Sequence, residues 1–224
     1  KHALALTLDN VTGSTITDNA INALTVTSGA AGSTDVTFTS SALATATFNN
    51  AQSLKVTLGN VAKLTTVTAT GAGSLNLGDL TTAAKLATIA AASAAGAITV
   101  AIDPTVTAFT GGSGNDVVTI NKYSTTTVPG NTINTVDGGT GSNTLVANYV
   151  GTAGQTAGAL YKNFSTLQVG TAGSGTFETV GFNALKVGTT GGAVTFDKVT
   201  AGTTLALTAS AGATGTVNDV TYTL

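Results

Sequence analysis

Residues 111 to 119 read Gly-Gly-Ser-Gly-Asn-Asp-Val-Val-Thr. This is a full match to the nonapeptide G-G-x-G-x-D-x-U-x, with U a large apolar residue, that winds calcium-binding parallel β-rolls. Glycines at 111, 112 and 114 permit a turn that no side chain could follow, Asp116 supplies a carboxylate, and Val118 points into the coil. A second copy, Gly-Gly-Thr-Gly-Ser-Asn-Thr-Leu-Val at 138 to 146, keeps every glycine and the apolar position but carries Asn143 where the pattern has Asp. The copies start 27 residues apart. That is too far for adjacent nonapeptides, but it suits one coil with a loop on its far side, so that the two turns stack and hold an ion between them. Calcium takes several oxygens, and glycine turns offer carbonyls that otherwise lack partners. The expected ligands are the carbonyls of Gly111, Ser113, Gly139 and Gly141 with the side chains of Asp116 and Asn143. Asp137 either joins that shell or only begins the second turn. The competing reading is a plain glycine turn in which Asp116 caps its own backbone.

Turns of this kind need strands to carry them. Apolar clusters recur about every ten or eleven residues: Leu54 to Leu58, Leu64 to Val67, Leu75 to Leu77, Leu86 to Ile89, Ile98 to Val100, Val106 to Phe109, Val117 to Ile120. Short, evenly spaced strands predict a coil with two strands per turn and roughly 20 residues a turn, although a β-sandwich shares that spacing. The second half separates the two. Asn163 to Gly173 repeats as Gly181 to Gly191, mapping Phe164 to Phe182, Leu167 to Leu185 and Val169 to Val187 at period 18. With one inserted residue, Phe177 and Val180 map to Phe196 and Val199. A solenoid needs such self-similarity because like residues stack on like; a sandwich does not. The prediction is an all-β, right-handed parallel β-solenoid, or β-roll, of about eleven turns at ~4.8 Å each, with open ends that flanking sequence would cap. Ala83 to Ala97 has a helical composition, but Thr88, Ile89, Ser93 and Gly96 weaken it and it reads as narrow coils. The rhythm breaks at Ala147 to Gly158 and at a loop from Lys122 to Thr135 that contains Pro129-Gly130.

Composition narrows the function. Only 8% of residues are charged, against ~25% in ordinary globular chains, so 48 threonines carry solubility instead. The basic residues are eight lysines and the net charge is −2, which leaves no basic stripe for nucleic acid. No run of ~18 apolar residues spans a membrane. The start at Lys1-His2 lacks a signal-peptide pattern, so the chain reads as a fragment whose export information lies outside it. Absence of cysteine fits an extracellular protein held by metal and backbone hydrogen bonds. The expectation is no enzyme. His2 is the sole histidine, there is no arginine, and Asp9, Asp18, Asp35, Asp79, Asp103, Asp197 and Asp219 are scattered as turn formers. Tyr123, Tyr149, Tyr161 and Tyr222 either contact neighbours or glycan, or close the rims of coils.

The run from Phe109 to Val118, then Val136 to Asn148, then Phe164 to Val169 and Gly181 to Phe196, resembles the lattice-forming region of RTX-type bacterial surface-layer proteins of the Caulobacter kind. The motifs carry the resemblance over Val106 to Leu224; over residues 1 to 105 it is compositional. It implies calcium-dependent β-solenoids that assemble with copies of themselves into a two-dimensional coat on the cell surface, exported by a type I system. Any contact with cell-surface glycan or lipopolysaccharide would lie in regions outside this chain. Asn143 departs from the family pattern, which puts full calcium affinity of the second turn in question. The other reading is an RTX adhesin or the non-catalytic β-roll of a secreted protein. The expected organisation is solenoid coils over 1–105, the calcium-binding coil pair over 106–148, and coils with the 18-residue repeat over 149–224.

Overall fold

Thr45-Ala46-Thr47-Phe48-Asn49 shows how the sequence writes the fold. Ala46 and Phe48 are buried while Thr45 and Asn49 are exposed, the period-two pattern of a strand with one covered face. Thr and the β-branched aliphatics suit this geometry because their stiff χ1 fits a pleated surface. In the computed structural model, which describes residues 1–122, 134–152, 161–208 and 220–222, such strands wind into a right-handed parallel β-solenoid of about nine turns, with no helix among the described residues. The expected eleven turns are therefore too many, because some coils exceed 20 residues, the one from Val117 to its ladder partner Thr144 taking 27.

Three parallel sheets run along the stack. The first holds β1 (His2–Leu8), β3 (Ile21–Ser28), β5 (Thr45–Asn49), β7 (Thr66–Gly71), β9 (Thr88–Ala94), β11 (Ala108–Thr110), β13 (Val136–Asp137) and β16 (Tyr161–Lys162). The second holds β2 (Thr15–Thr17), β4 (Ser33–Thr39), β6 (Leu54–Gly59), β8 (Leu75–Asp79), β10 (Ile98–Ile102), β12 (Val117–Ile120), β14 (Thr144–Ala147), β17 (Thr166–Val169), β19 (Ala184–Val187) and β21 (Thr204–Leu207). The third holds β15 (Val150–Gly151), β18 (Ser174–Glu178), β20 (Val194–Asp197) and β22 (Val220–Tyr222). The third sheet begins at Val150, one coil contributes to all three sheets, and after β16 the second sheet alternates with the third alone. The Ala-rich stretch supplies β9 and not a helix.

Like stacks on like in the core. Leu24, Ala46, Val67, Ile89, Phe109, Val136 and Tyr161 form one continuous ladder column. Val118, Leu145, Leu167 and Leu185 form another, and the period-18 pairs Leu167/Leu185, Val169/Val187 and Phe177/Phe196 are Cα partners. At the corners leading back to the first sheet, Leu43, Leu64 and Leu86 turn inward, and Thr107 continues that row with its hydroxyl donating to the Leu86 carbonyl at 2.8 Å. The loop over 123–133, with Tyr123 and Pro129, lies outside the described residues, as do 153–160 and Asp219.

Candidate metal centre at the stacked glycine turns

The two motif copies occupy successive coils. Val117 pairs with Thr144 and Phe109 with Val136, so the turn at 138–143 lies directly on the turn at 111–116. Backbone hydrogen bonds join them: Gly111 N–H donates to Asp137 O, Thr140 N–H to Gly112 O and Thr144 N–H to Asp116 O, each at 2.8 Å. Gly139 and Gly141 have φ of 73° and 125°, conformations that side chains rarely take. A Cβ on Gly112 would strike the Ala94 carbonyl of the coil before, and one on Gly139 the carbonyls of Gly111 and Gly112. Backbone therefore packs on backbone, with carbonyls of one turn aimed at the next.

Asp116 is fully buried at the end of the first turn. Its Oδ1 accepts from Ile98 N–H at 2.7 Å, a bond to the preceding coil and not to its own backbone. Its Oδ2 is buried and makes no hydrogen bond. The place a Cβ on Gly111 would fill is taken by this Oδ2 and by the Gly138 carbonyl, so two oxygens from successive coils face one point. Burial pushes the Asp116 carboxyl up to about 6; the Ile98 N–H opposes that rise, and the Gly112 N–H also favours the ionised form without completing a bond to Oδ2.

Asn143 holds the equivalent place one coil on and is equally buried. Its Oδ1 accepts from Asp116 N–H at 2.8 Å and its Nδ2 donates to Asn163 O at 2.9 Å. The amide thus ties three coils together, and a carboxylate could make only the first of these bonds. Asp137 begins the second turn: its Oδ1 accepts from Gly139 N–H at 2.9 Å and from Asn163 Nδ2 at 2.7 Å. Ser113 is exposed, its N–H donating to Ala94 O at 2.9 Å.

Two features escaped the sequence reading. The glycine packing extends toward the N-terminus, since a Cβ on Gly114 would meet Gly96, one on Gly96 would meet Gly73, and one on Gly73 would meet Gln52. These lone glycines match no motif. Asn163 stands in the sequence only as the start of a repeat, although it links Asn143 and Asp137. The signal was its alignment with Gly181: both have positive φ, 61° and 94°, and Asn is the residue after Gly that most readily accepts that conformation.

Elsewhere the acids hold backbone, within a turn or, for Asp9, in the next coil. Asp9, Asp18, Asp79 and Asp103 accept backbone N–H groups of Ala31, Ala20, Thr81 and Thr105. Burial alone would raise the Asp103 carboxyl, but Lys122 at 2.5 Å and Thr105 outweigh it and hold the group below its ordinary value. Glu178, nearly covered, pairs with Lys198 at 3.1 Å. Tyr161 belongs to the core, and Tyr149 meets Phe177 edge to face at 5.5 Å, so these two do not sit as rim residues.

In donor chemistry the stacked turns fit a hard cation: a buried, unpartnered carboxylate oxygen beside carbonyls, with no nitrogen or sulfur donor at the turn corner. Among the described residues no three His, Cys, Asp or Glu side chains converge, so carbonyls would have to supply most ligands around Asp116. No family model matches the chain, and no curated protein matches it in sequence.

Proposed function

We propose that the chain is a structural segment of a calcium-dependent bacterial surface layer, self-assembling with identical neighbours outside the cell. The observation that carries the proposal is Asp116 Oδ2, buried without a partner between stacked glycine turns in a continuous parallel solenoid. An ionised carboxylate in that position costs stability unless a cation joins it. Bound calcium would supply the compensating charge and link folding to metal. Asp116 and the Gly138 carbonyl beside it, with the carbonyls of Gly111 and Ser113 from one coil and of Gly139 and Gly141 from the next, would hold it; Asn143 would orient the turn through its bonds to Asp116 and Asn163. The rest of the molecule suits a passive scaffold. Outward positions such as Thr45, Thr47, Thr66, Thr68 and Thr88 are uncharged, which lets copies approach with little like-charge repulsion. Among the described residues no helix is long and apolar enough to cross a membrane.

Electron microscopy of the protein containing this chain, with calcium and with chelator, tests the reading. An ordered lattice only in calcium supports it. Dispersed particles that bind a heterologous surface would favour the adhesin reading instead, and dispersed particles in both conditions would end the surface-layer proposal.

A further inference from the structure

The first sheet stops at β16, whereas the next coil returns from β18 to β19 through residues 179–183 without adding a strand to it. This leaves a step in the stack. A groove of about 420 Å³ follows, walled by Tyr161, Lys162, Asn163 and Phe164 on one side and by Val180, Gly181 and Phe182 on the other. It continues into a shallower part of about 250 Å³ that reaches Ser165, Asn183 and the turn glycines 139 and 141. Together these lie in the size range of small-molecule sites.

The rim is polar, and Lys162 is the one charged residue among those that line it. Lys162 is exposed and makes no salt bridge among the described residues. Its ladder partner Asp137 turns Oδ1 toward Gly139 and Asn163. Asn163 and Asn183 are exposed, and the Asn163 amide, with Nδ2 already donating to Asp137, keeps an acceptor oxygen. The base is apolar: Phe164 and Phe182 are covered beneath it, while Val180 is 45% exposed. Space above Gly181 is open, since a Cβ there would meet nothing within 4 Å.

From this we infer that the step is a binding groove for a neutral oligosaccharide. Amides, a hydroxyl and an ammonium answer sugar hydroxyls in both donor and acceptor senses, and the apolar base answers the C–H face of the ring. The Asp137 carboxylate beside Lys162 offsets the one charge that lines the groove, which favours a neutral sugar over an acidic one. The groove borders the proposed calcium turn through Gly139 and Gly141 but uses none of the Asp116 oxygens, and it does not depend on lattice formation.

Amide-resolved NMR titration of the full chain with cellotriose, maltotriose and mannotriose tests it, with trigalacturonic acid as the charged comparison. The expected result is that at least one neutral trisaccharide shifts the amides of Lys162, Asn163, Gly181 and Asn183. Asn183→Trp, which fills the shallow part, should weaken that binding roughly ten-fold or more, and Lys162→Ala several-fold, by removing one donor. No shift at these residues with any of the three neutral sugars would overturn the assignment, as would unchanged affinity in both variants or tighter binding of trigalacturonic acid.

Discussion

The turns at 111–116 and 138–143 share a pattern, a corner and a stacking direction, yet they differ at one side chain. Asp116 takes one N–H and leaves an oxygen buried without a partner. Asn143 closes its network, accepting from Asp116 and donating to Asn163. Both side chains accept from the coil before, and replacing one oxygen by an amide nitrogen adds a bond to the coil after in place of a buried oxygen without a partner. The departure from the motif at 143 is a hydrogen-bonding requirement of the next coil and not simply a weakened ligand.

The largest effect should come from removing what the two turns share. Gly112→Val would place side-chain atoms against the Ala94 carbonyl of the coil beneath. Because that neighbour is backbone in a ladder, relief requires the coils to separate. A loss above ~3 kcal/mol, seen as a lower urea midpoint, is expected. An unchanged midpoint would mean the stack is looser than the close approach of these turns implies.

Making the second turn like the first should cost less. Asn143→Asp forfeits the donation to Asn163 O and buries a second carboxylate, so in chelator it should lose ~1–3 kcal/mol in chemical denaturation. Calcium should recover part of the loss, because a second carboxylate strengthens an oxygen site for a dication. Greater stability in chelator would contradict the strut role of Asn143.

Proton linkage gives a third effect, of similar size. An acid whose folded pKa stands above its ordinary value binds its proton more tightly when folded. Asp116 therefore favours the folded state below its ordinary value of 3.8 and costs stability as pH rises from there to about 6. Calcium-free protein should melt roughly 5–10 °C lower at pH 7 than at pH 4 on this account. Asp103 acts in the opposite sense, but below 3.8, where its depressed carboxyl is protonated. In Asp116→Asn the decline between pH 4 and 7 should vanish.

The sequence was most legible where one rule governs a position. The apolar cluster at Leu54 to Leu58 and the pairs Leu167/Leu185 and Phe177/Phe196 could be read directly, because stacked coils must present like residues to one another. The adjacency of the two glycine turns was legible for the same reason. The new sheet at Val150 showed only as the break in rhythm at Ala147 to Gly158, since β15 is two residues long and its register is set by contact with β18 and not by any local pattern. Nor was the role of Asn143, which depends on a carbonyl of Asn163 that the turn itself does not contain.

Thermal unfolding of the parent chain and Asp116→Asn, each with saturating calcium and with chelator, tests the central claim most directly. A ligand that binds only the folded state adds ~2.7 kcal/mol at a hundred times its Kd, which for a chain of this length raises the Tm by roughly 5–10 °C. The parent should show that rise, and Asp116→Asn should melt at the same temperature with and without calcium. A parent Tm indifferent to calcium, or an equal rise in both proteins, would contradict a metal site built on the Asp116 carboxylate.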